Sequence, residues 1–171
     1  GRLLILSEGA PGGWPGTTAA VVLDPAVERP GPPVLFSYRP PAGFSATDAV
    51  LVSAGMVLVL NRHFTPFTGV AASLCLLDLA DLAQRDDKPA GCREIARLAP
   101  PLAVDNMEGV SLVERDGQRF VYLVSDDNYS PLQRTLLLKF AWPETAPILA
   151  PRPAAAPEAA RASGPGQAAV R

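Results

Sequence analysis

The sequence has one histidine, no cluster of basic residues and no long uninterrupted apolar run. A single histidine excludes a zinc site built mainly from histidine ligands. The net charge is −2, whereas nucleic-acid binding depends on a concentrated positive face, so we expect no nucleic-acid partner. No run of about 18 apolar residues is present to predict a membrane span.

Two catalytic motifs are also missing. No serine lies in a G-x-S-x-G pattern, so Ser130-Pro131 predicts a turn and not a nucleophile. No glycine-rich phosphate-binding loop precedes a helix. The chain starts at Gly1 with no visible signal peptide, and we therefore expect a mature product or a piece of a longer chain.

The 19 prolines of the sequence are unevenly spread. From residue 143 onward the chain is rich in Ala and Pro and offers almost no large apolar side chains. Such a segment cannot offset the entropy cost of ordering, so residues 143–171 are predicted to be a disordered tail. Hydrophobic residues make up 48% of the chain, and we expect residues 1–142 to form the folded domain.

The apolar residues before this tail come in short runs bounded by Gly, Pro, Asp and Asn, a pattern that favours strands over helices. The predicted strands are residues 3–8, 17–24, 33–39, 49–53, 56–62, 71–79, 92–98, 108–113, 119–125 and 134–142. One short helical turn is predicted at residues 79–84. Several strands are apolar on both faces, as expected where sheets pack on each side.

These strands fall into three groups, at residues 3–39, 49–98 and 108–142. Each group has the length of one β-propeller blade, for which repeats run about 40–50 residues. Three blades are too few to close a ring. The sequence therefore predicts an all-β fold that forms part of a β-propeller, with a β-sandwich or open barrel of about ten strands as the alternative.

Two pairs of strands predict hairpins with two-residue loops, at Ala54-Gly55 and Asp116-Gly117. A two-residue loop fixes the register of its strands, and a slip of one residue would break the expected pairs. The pairs expected across the second hairpin are Glu108 with Ser125, Met107 with Asp126 and Asn106 with Asp127, and those across the first are Asp48 with Asn61 and Thr47 with Arg62.

The second hairpin gathers acids and amides at its open end, from DNMEG (105–109) and SDDNY (125–129). Carboxylates this close repel unless they are solvated, protonated or bound to a cation. A hard cation such as calcium takes oxygen ligands of this kind, although side-chain alternation divides the set between two faces. Solvated loop-end acids are the alternative. The candidate metal ligands are Asp105, Asn106, Glu108, Asp126, Asp127 and Asn128.

Three basic side chains near the hairpin ends, Arg62, His63 and Arg134, are candidates for binding an anionic substrate. A guanidinium forms a planar fork suited to phosphate, although pairing with a neighbouring carboxylate is its more common use. Asp48 is expected to orient Arg62 across the first hairpin.

The two cysteines, Cys75 and Cys92, lie on or beside successive predicted strands. If these strands pair antiparallel, the thiols can form a disulfide, which would stabilise the fold by roughly 3 kcal/mol. Two buried thiols are the alternative.

Three segments resemble the bacterial phytase-like proteins of the "esterase-like activity of phytase" family: TDAVLVSAGMVLVLNRHF (47–64), DNMEGVSLV (105–113) and YLVSDDNYSPLQRTLLLKF (122–140). The resemblance extends from about Leu3 to Phe140, and the last two segments are the most specific. It implies an exported β-propeller in the periplasm or outside the cell, hence an oxidising compartment and a Cys75–Cys92 bridge. Only the C-terminal part of a member is matched, which implies that the remaining blades belong to a missing N-terminal part.

The function implied by this resemblance is hydrolysis of a phosphate or other ester, with calcium as the implied cofactor and a small anionic or ester molecule as the substrate. The candidate catalytic residues are Glu108, Asp127 and Arg62, and the candidate substrate-binding residues are Arg62, His63 and Arg134. The family's E-R-R-F segment reads Asn61-Arg62-His63-Phe64 here, so one acid and one guanidinium are absent. A non-catalytic propeller that binds a ligand in the cell envelope is the alternative.

Overall fold

The structure is a computed structural model that describes residues 3–23, 34–83 and 88–143. Within these residues the chain forms eleven strands and one short helix. The strands are β1 (Leu3–Pro11), β2 (Thr18–Leu23), β3 (Val34–Arg39), β4 (Ser45–Ser53), β5 (Met56–Thr65), β6 (Gly69–Asp78), β7 (Ala90–Gly91), β8 (Arg93–Leu98), β9 (Met107–Arg115), β10 (Gln118–Ser125) and β11 (Leu137–Ala141), and the helix is α1 (Leu79–Ala83). All ten predicted strands form. The structure contains one further strand that was not predicted, β7, whose two residues are too few to form a recognisable sequence pattern.

The three predicted groups of strands become three sheets. The first sheet has the order β1-β2-β3-β7, the second β4-β5-β6-β8 and the third β11-β10-β9. Strand β7 comes from the second group but pairs parallel to β3, so it fastens the second group to the first sheet. The segment from β7 to β8 therefore crosses between two sheets.

The second sheet lies between the other two and is apolar on both faces. Val57, Val59 and Leu77 pack towards the first sheet, in one core with Tyr38. The opposite face, which includes Leu58, packs against the third sheet in a second core. The run MVLVL at the start of β5 is buried throughout because alternate residues enter different cores.

This stacking of sheets is that of successive β-propeller blades, and it confirms the predicted fold class. The edge strand β4 of the second sheet contacts both β1 and β9. The outward faces of the first and third sheets expose apolar side chains, among them Leu35 and Leu137. That further blades complete the ring stays a prediction.

The register of the second hairpin is confirmed only in part. Asp116 and Gly117 both have positive φ, as a two-residue hairpin turn requires. The expected register holds up to Gly109 opposite Val124, and there a bulge shifts it, so that Met107 and not Glu108 faces Ser125. A Cβ on Gly109 would lie 2.7 Å from Val124 Cγ1, so a larger residue at this bulge would have to displace the Val124 side chain.

The register predicted for the first hairpin is wrong beyond its first pair. The Ala54-Gly55 turn forms, but β4 has one irregularity between Leu51 and Ser53 and another between Ala46 and Asp48. As a result Asp48 faces Leu60, while Asn61 faces Ala46. Each bulge adds one unpaired residue, which a count from the turn cannot anticipate.

Cys75 of β6 and Cys92 form a disulfide with their Cα atoms 5.4 Å apart. Strands β6 and β8 pair antiparallel, which was the condition set for this bond.

The predicted helical turn forms as α1, where Asp78 Oδ1 accepts a hydrogen bond from the Ala80 amide. The last residue predicted for that turn, at position 84, and residues 144–171 of the predicted tail lie outside the described residues. No helix in the described ranges is long and apolar enough to cross a membrane.

Candidate functional site

One group of charged and polar side chains draws its members from all three sheets. Arg62, near the end of β5, donates from Nη2 to Glu8 Oε1 of β1 at 2.6 Å. Its Nη1 donates to Oδ1 of Asn106 and lies 3.4 Å from Glu108 Oε1. Asn106 directly precedes β9, and Glu108 is the second residue of that strand. We call Glu8, Arg62, Asn106 and Glu108 the Arg62 cluster.

The Arg62 cluster is open to solvent on its acidic side. The Arg62 side chain is 26% exposed, whereas those of Glu108 and Glu8 are 35% and 53% exposed. Water therefore reaches both carboxylates, while the guanidinium between them is more shielded. An ion pair in this setting is screened less than one on the open surface.

Asn106 is the most buried member of the Arg62 cluster, at 2% exposed. Arginine only donates hydrogen bonds, so the amide atom that faces Arg62 is Oδ1. The other amide atom, Nδ2, has no hydrogen-bond partner among the described residues. A buried donor without an acceptor is unfavourable, so this position favours an oxygen atom from solvent or from a ligand.

The position of Glu108 is fixed by two hydrogen bonds between β4 and β9. Thr47 Oγ1 donates to the Met107 carbonyl at 3.1 Å, and Asp48 Oδ2 accepts from the Val110 amide at 2.7 Å. These bonds lie on either side of the Glu108 bulge. Asp48 was expected to orient Arg62, but it is held instead by the Ala49 and Val110 amides. The two irregularities in β4 place Ser45, and not Thr47, opposite Arg62.

Asn61 lies on the opposite face of β5 from Arg62. It is fully buried, and its Oδ1 accepts a hydrogen bond from the Tyr38 hydroxyl at 2.9 Å. Burial raises the pKa of the Tyr38 phenol, and the hydrogen bond to Asn61 opposes this shift. Since position 61 faces the first sheet, having Asn there removes no carboxylate from the Arg62 cluster.

His63, a candidate for substrate binding, also lies on the face of β5 opposite Arg62. Its Nδ1 donates to the Gly43 carbonyl at 2.6 Å, and its Nε2 lies 2.8 Å from Thr68 Oγ1. The ring packs against Phe44, with centroids 5.3 Å apart. In this structure His63 connects two turns and is not part of the Arg62 cluster.

The acidic stretch after β10 folds into a turn held by its own hydrogen bonds. Asp126 Oδ1 accepts from the Asn128 amide, and Asp127 Oδ1 accepts from the Tyr129 amide. Asp127 Oδ2 accepts from the Thr135 hydroxyl at 3.2 Å. We call residues 126–136 the β10–β11 loop. Its two acids accept hydrogen bonds from donors of the same loop.

Arg134 belongs to the same loop and is held by Asp105. The Asp105 Oδ2 atom accepts from the Arg134 amide at 3.1 Å and lies 3.5 Å from its Nε. Asp105 Oδ1 accepts from the Asn106 amide. Asp105 therefore connects the β10–β11 loop to Asn106, the buried member of the Arg62 cluster.

The family model for the phytase-like proteins, described as "esterase-like activity of phytase", matches residues 2–129 of the chain. The chain belongs to this phytase-like family. The matched residues contain all four members of the Arg62 cluster and end before Arg134. Comparisons with curated proteins and with solved structures gave no significant match.

The described residues of this phytase-like protein do not fit a calcium ion. None of its His, Cys, Asp and Glu side chains in the described ranges form a group of three or more that could hold a metal. The oxygens of Asp105, Asp126 and Asp127 accept hydrogen bonds from amides and a hydroxyl, so these carboxylates already have donors in the folded protein. Calcium binding stays a prediction, and this arrangement does not support it.

Glu8 is the member of the Arg62 cluster that sequence reasoning missed. A signal for it is present: three apolar runs are each followed by a small polar residue and then a charged one. These pairs are Ser7-Glu8 in β1, Asn61-Arg62 in β5 and Ser125-Asp126 at the end of β10. Aligning the three apolar runs by these endings would have placed Glu8 beside Arg62.

Proposed function

We propose that this phytase-like protein is an ester hydrolase whose active site is the Arg62 cluster. The observation that carries the proposal is the meeting of Glu8, Arg62 and Glu108 from three separate sheets at one half-exposed point. Carboxylates beside a guanidinium provide both a base for water and a positive charge for the oxygen that becomes anionic. The family description supports hydrolase chemistry in general.

Glu108 is the general base in this proposal. Its oxygen lies 3.4 Å from the guanidinium, whereas Glu8 is bonded tightly at 2.6 Å, so the Glu108 carboxylate is freer to accept a hydrogen bond from water. Water would attack the ester carbon or phosphorus atom as its proton passes to Glu108. When the ester bond breaks, the departing alkoxide takes that proton and leaves as an alcohol.

Arg62 and Asn106 would stabilise the negative charge that develops on the ester oxygen. Arg62 is a permanent cation, and Glu8 holds it in one position. The unpaired Nδ2 of Asn106 is a second donor next to it. Donors that are already in place before the reaction need no reorganisation during it, which is the main source of their effect.

The compartment proposed for the protein is the periplasm or the cell exterior. The disulfide between Cys75 and Cys92 supports this, because such bonds persist mainly in oxidising environments. Alkylation of free thiols in protein recovered from its native host, read by mass, would test it. Two alkylated cysteines would contradict the proposal.

The hydrolase proposal is tested by assaying the full chain with p-nitrophenyl acetate and p-nitrophenyl phosphate. Arg62→Ala is expected to lower kcat/KM for the preferred substrate by roughly 100- to 1000-fold. Arg134→Ala is the matched control, since Arg134 is 62% exposed and paired with Asp105 rather than with a member of the Arg62 cluster, and it should change the rate by less than about threefold. Equal losses in the two variants would refute the assignment. No hydrolysis of either substrate would favour the non-catalytic binding protein.

A further inference from the structure

Four exposed aromatic side chains lie at the end of the molecule that carries the Arg62 cluster. Phe64 is two residues beyond Arg62 on the same face of β5 and is 61% exposed, and Phe67, at the following turn, is 98% exposed. Trp14, in the turn after β1, is 42% exposed, and Tyr129, in the β10–β11 loop, is fully exposed. We call Trp14, Phe64, Phe67 and Tyr129 the aromatic rim.

Contacts within the Arg62 cluster show that these side chains share one end of the three sheets. Glu8, near the end of β1, is bonded to Arg62, near the end of β5. The end of β10 is joined to the same place, because the Asp126 amide donates to the carbonyl of Asn106. The turns that follow β1, β5 and β10 therefore lie at the same end of the sheets as the Arg62 cluster.

The turns that carry the rim are held by short local hydrogen bonds. The Thr17 hydroxyl donates to the Trp14 carbonyl at 2.6 Å. Thr65 and Thr68, which flank Phe67, have hydroxyls 2.5 Å apart. The Tyr129 amide donates to Asp127 at 2.9 Å. Aromatic side chains on ordered turns lose little entropy when a ligand binds, so they suit contact with an apolar group.

The charge at the centre of the rim disfavours a phosphate ester. Arg62 carries one positive charge and is paired with two carboxylates, Glu8 and Glu108, so the three side chains have a formal sum of −1. A phosphate monoester brings up to two further negative charges to this point, and like charges repel strongly where water is partly excluded. A carboxylic ester has no charge at the reacting group and avoids this repulsion.

We propose that the substrate class is neutral carboxylic esters with a bulky apolar acyl or aryl group, which the aromatic rim binds while the Arg62 cluster holds the ester. This proposal rests on the hydrolase function proposed above and narrows it. Aromatic side chains supply large contact area, and exposed apolar clusters around a polar centre mark ligand sites on proteins.

The test compares kcat/KM of the full chain for p-nitrophenyl acetate, octanoate and phosphate, which share one leaving group. The octanoate ester should exceed the acetate ester by roughly tenfold or more, and both should exceed the phosphate. The variants Trp14→Ser, Phe67→Ser and Tyr129→Ser should each lower the octanoate-to-acetate ratio by roughly fivefold, mainly through KM. Leu51→Ser is the matched control, since Leu51 is 60% exposed on β4 but lies near the opposite turn, and it should leave the ratio unchanged.

Three results would overturn the substrate class. Faster hydrolysis of the phosphate, lost in Arg62→Ala, would leave the hydrolase function in place and refute the preference for neutral esters. A ratio that the rim variants do not change would show that the rim does not bind the acyl group. Loss of co-sedimentation with phosphatidylcholine vesicles in Phe67→Ser, with an unchanged ratio, would assign the rim to a lipid surface instead. Hydrolysis of none of the three esters would refute the proposed function itself.

Discussion

The Arg62 cluster and the β10–β11 loop are both rich in charge, yet they are built in different ways. In the loop, the Asp127 carboxylate bonds the amide two residues further along the chain. In the Arg62 cluster, Arg62 bonds residues 54 and 44 positions away in the sequence. The acids that are close together in the sequence therefore accept hydrogen bonds from nearby backbone amides of their own loop. The acids that are far apart in the sequence meet at Arg62 from separate sheets.

This difference bears on where chemistry takes place. An acid that accepts amides of its own turn is already paired and stabilises that turn. A carboxylate brought to a guanidinium by three packed sheets is held rigidly, while part of it still reaches solvent. Rigid placement together with access to water is what a hydrolytic site needs.

The sharpest test of this comparison is to remove one carboxylate charge from each region. Glu108→Gln should lower kcat/KM by roughly 100-fold or more, since an amide cannot accept the proton of the attacking water. Asp127→Asn should change it by less than about threefold, because this carboxylate is bonded within its own loop. The measurement is the initial rate of p-nitrophenyl ester hydrolysis. A larger loss in Asp127→Asn than in Glu108→Gln would reverse the roles of the two regions.

A second test measures how each region contributes to folding. Asp48→Ala should lower the free energy of unfolding by about 2–3 kcal/mol, because the Val110 amide between two sheets loses a charged acceptor. Asp127→Ala should lower it by about 1 kcal/mol, since its partners lie in an exposed turn that water can reach.

Urea denaturation followed by circular dichroism gives both values. Asp116→Asn serves as a control for loss of an acidic charge, since Asp116 is 91% exposed, pairs with Arg115 on the surface and has a positive φ that Asn tolerates. An Asp48→Ala variant as stable as the wild type would show that the bond between β4 and β9 does not hold the sheets together.

The smallest effect is expected from calcium. Within the described residues no three His, Cys, Asp or Glu side chains form a group that could hold a metal, so millimolar calcium should shift Tm by less than about 1 °C. A true calcium site at saturation would add about 2–3 kcal/mol, which corresponds to several degrees in a domain of this size. Thermal melts with calcium and with a chelator measure the difference. A shift in Tm of several degrees that is abolished in Asp127→Asn would show that calcium binds in the β10–β11 loop.

The strands and their grouping were predictable from the sequence because both depend on local patterns. Runs such as RFVYLVS carry enough β-branched and aromatic residues, between turn residues, to define a strand alone. The location of the Arg62 cluster was predictable only in part. Arg62 and Glu108 stood out as charges at hairpin ends, but Glu8 is far from both in sequence.

The errors in the predicted strand register come from bulges, which the sequence did not reveal. The irregularities at Thr47 and Glu108 each insert one residue, and each moves the following side chains to the opposite face. The expected pairing of Asp48 with Asn61 failed because of a further irregularity in β4, between Leu51 and Ser53, which lies closer to the turn. A bulge depends on tertiary contacts such as the hydrogen bond from Thr47 to the Met107 carbonyl. The residue pattern of a single strand does not predict such contacts.

The bond between Cys75 and Cys92 has a practical consequence for preparing the protein. Cys92 stands between β7, which pairs with the first sheet, and β8, which pairs with the second. In cells that keep thiols reduced, the Cys75–Cys92 bond would not form, and only backbone hydrogen bonds and packing would hold this crossing segment. Protein produced in a bacterial cytosol should therefore be cut more easily by proteases near residues 88–92. Secretion into an oxidising culture medium, and purification without dithiothreitol, would preserve the cross-link.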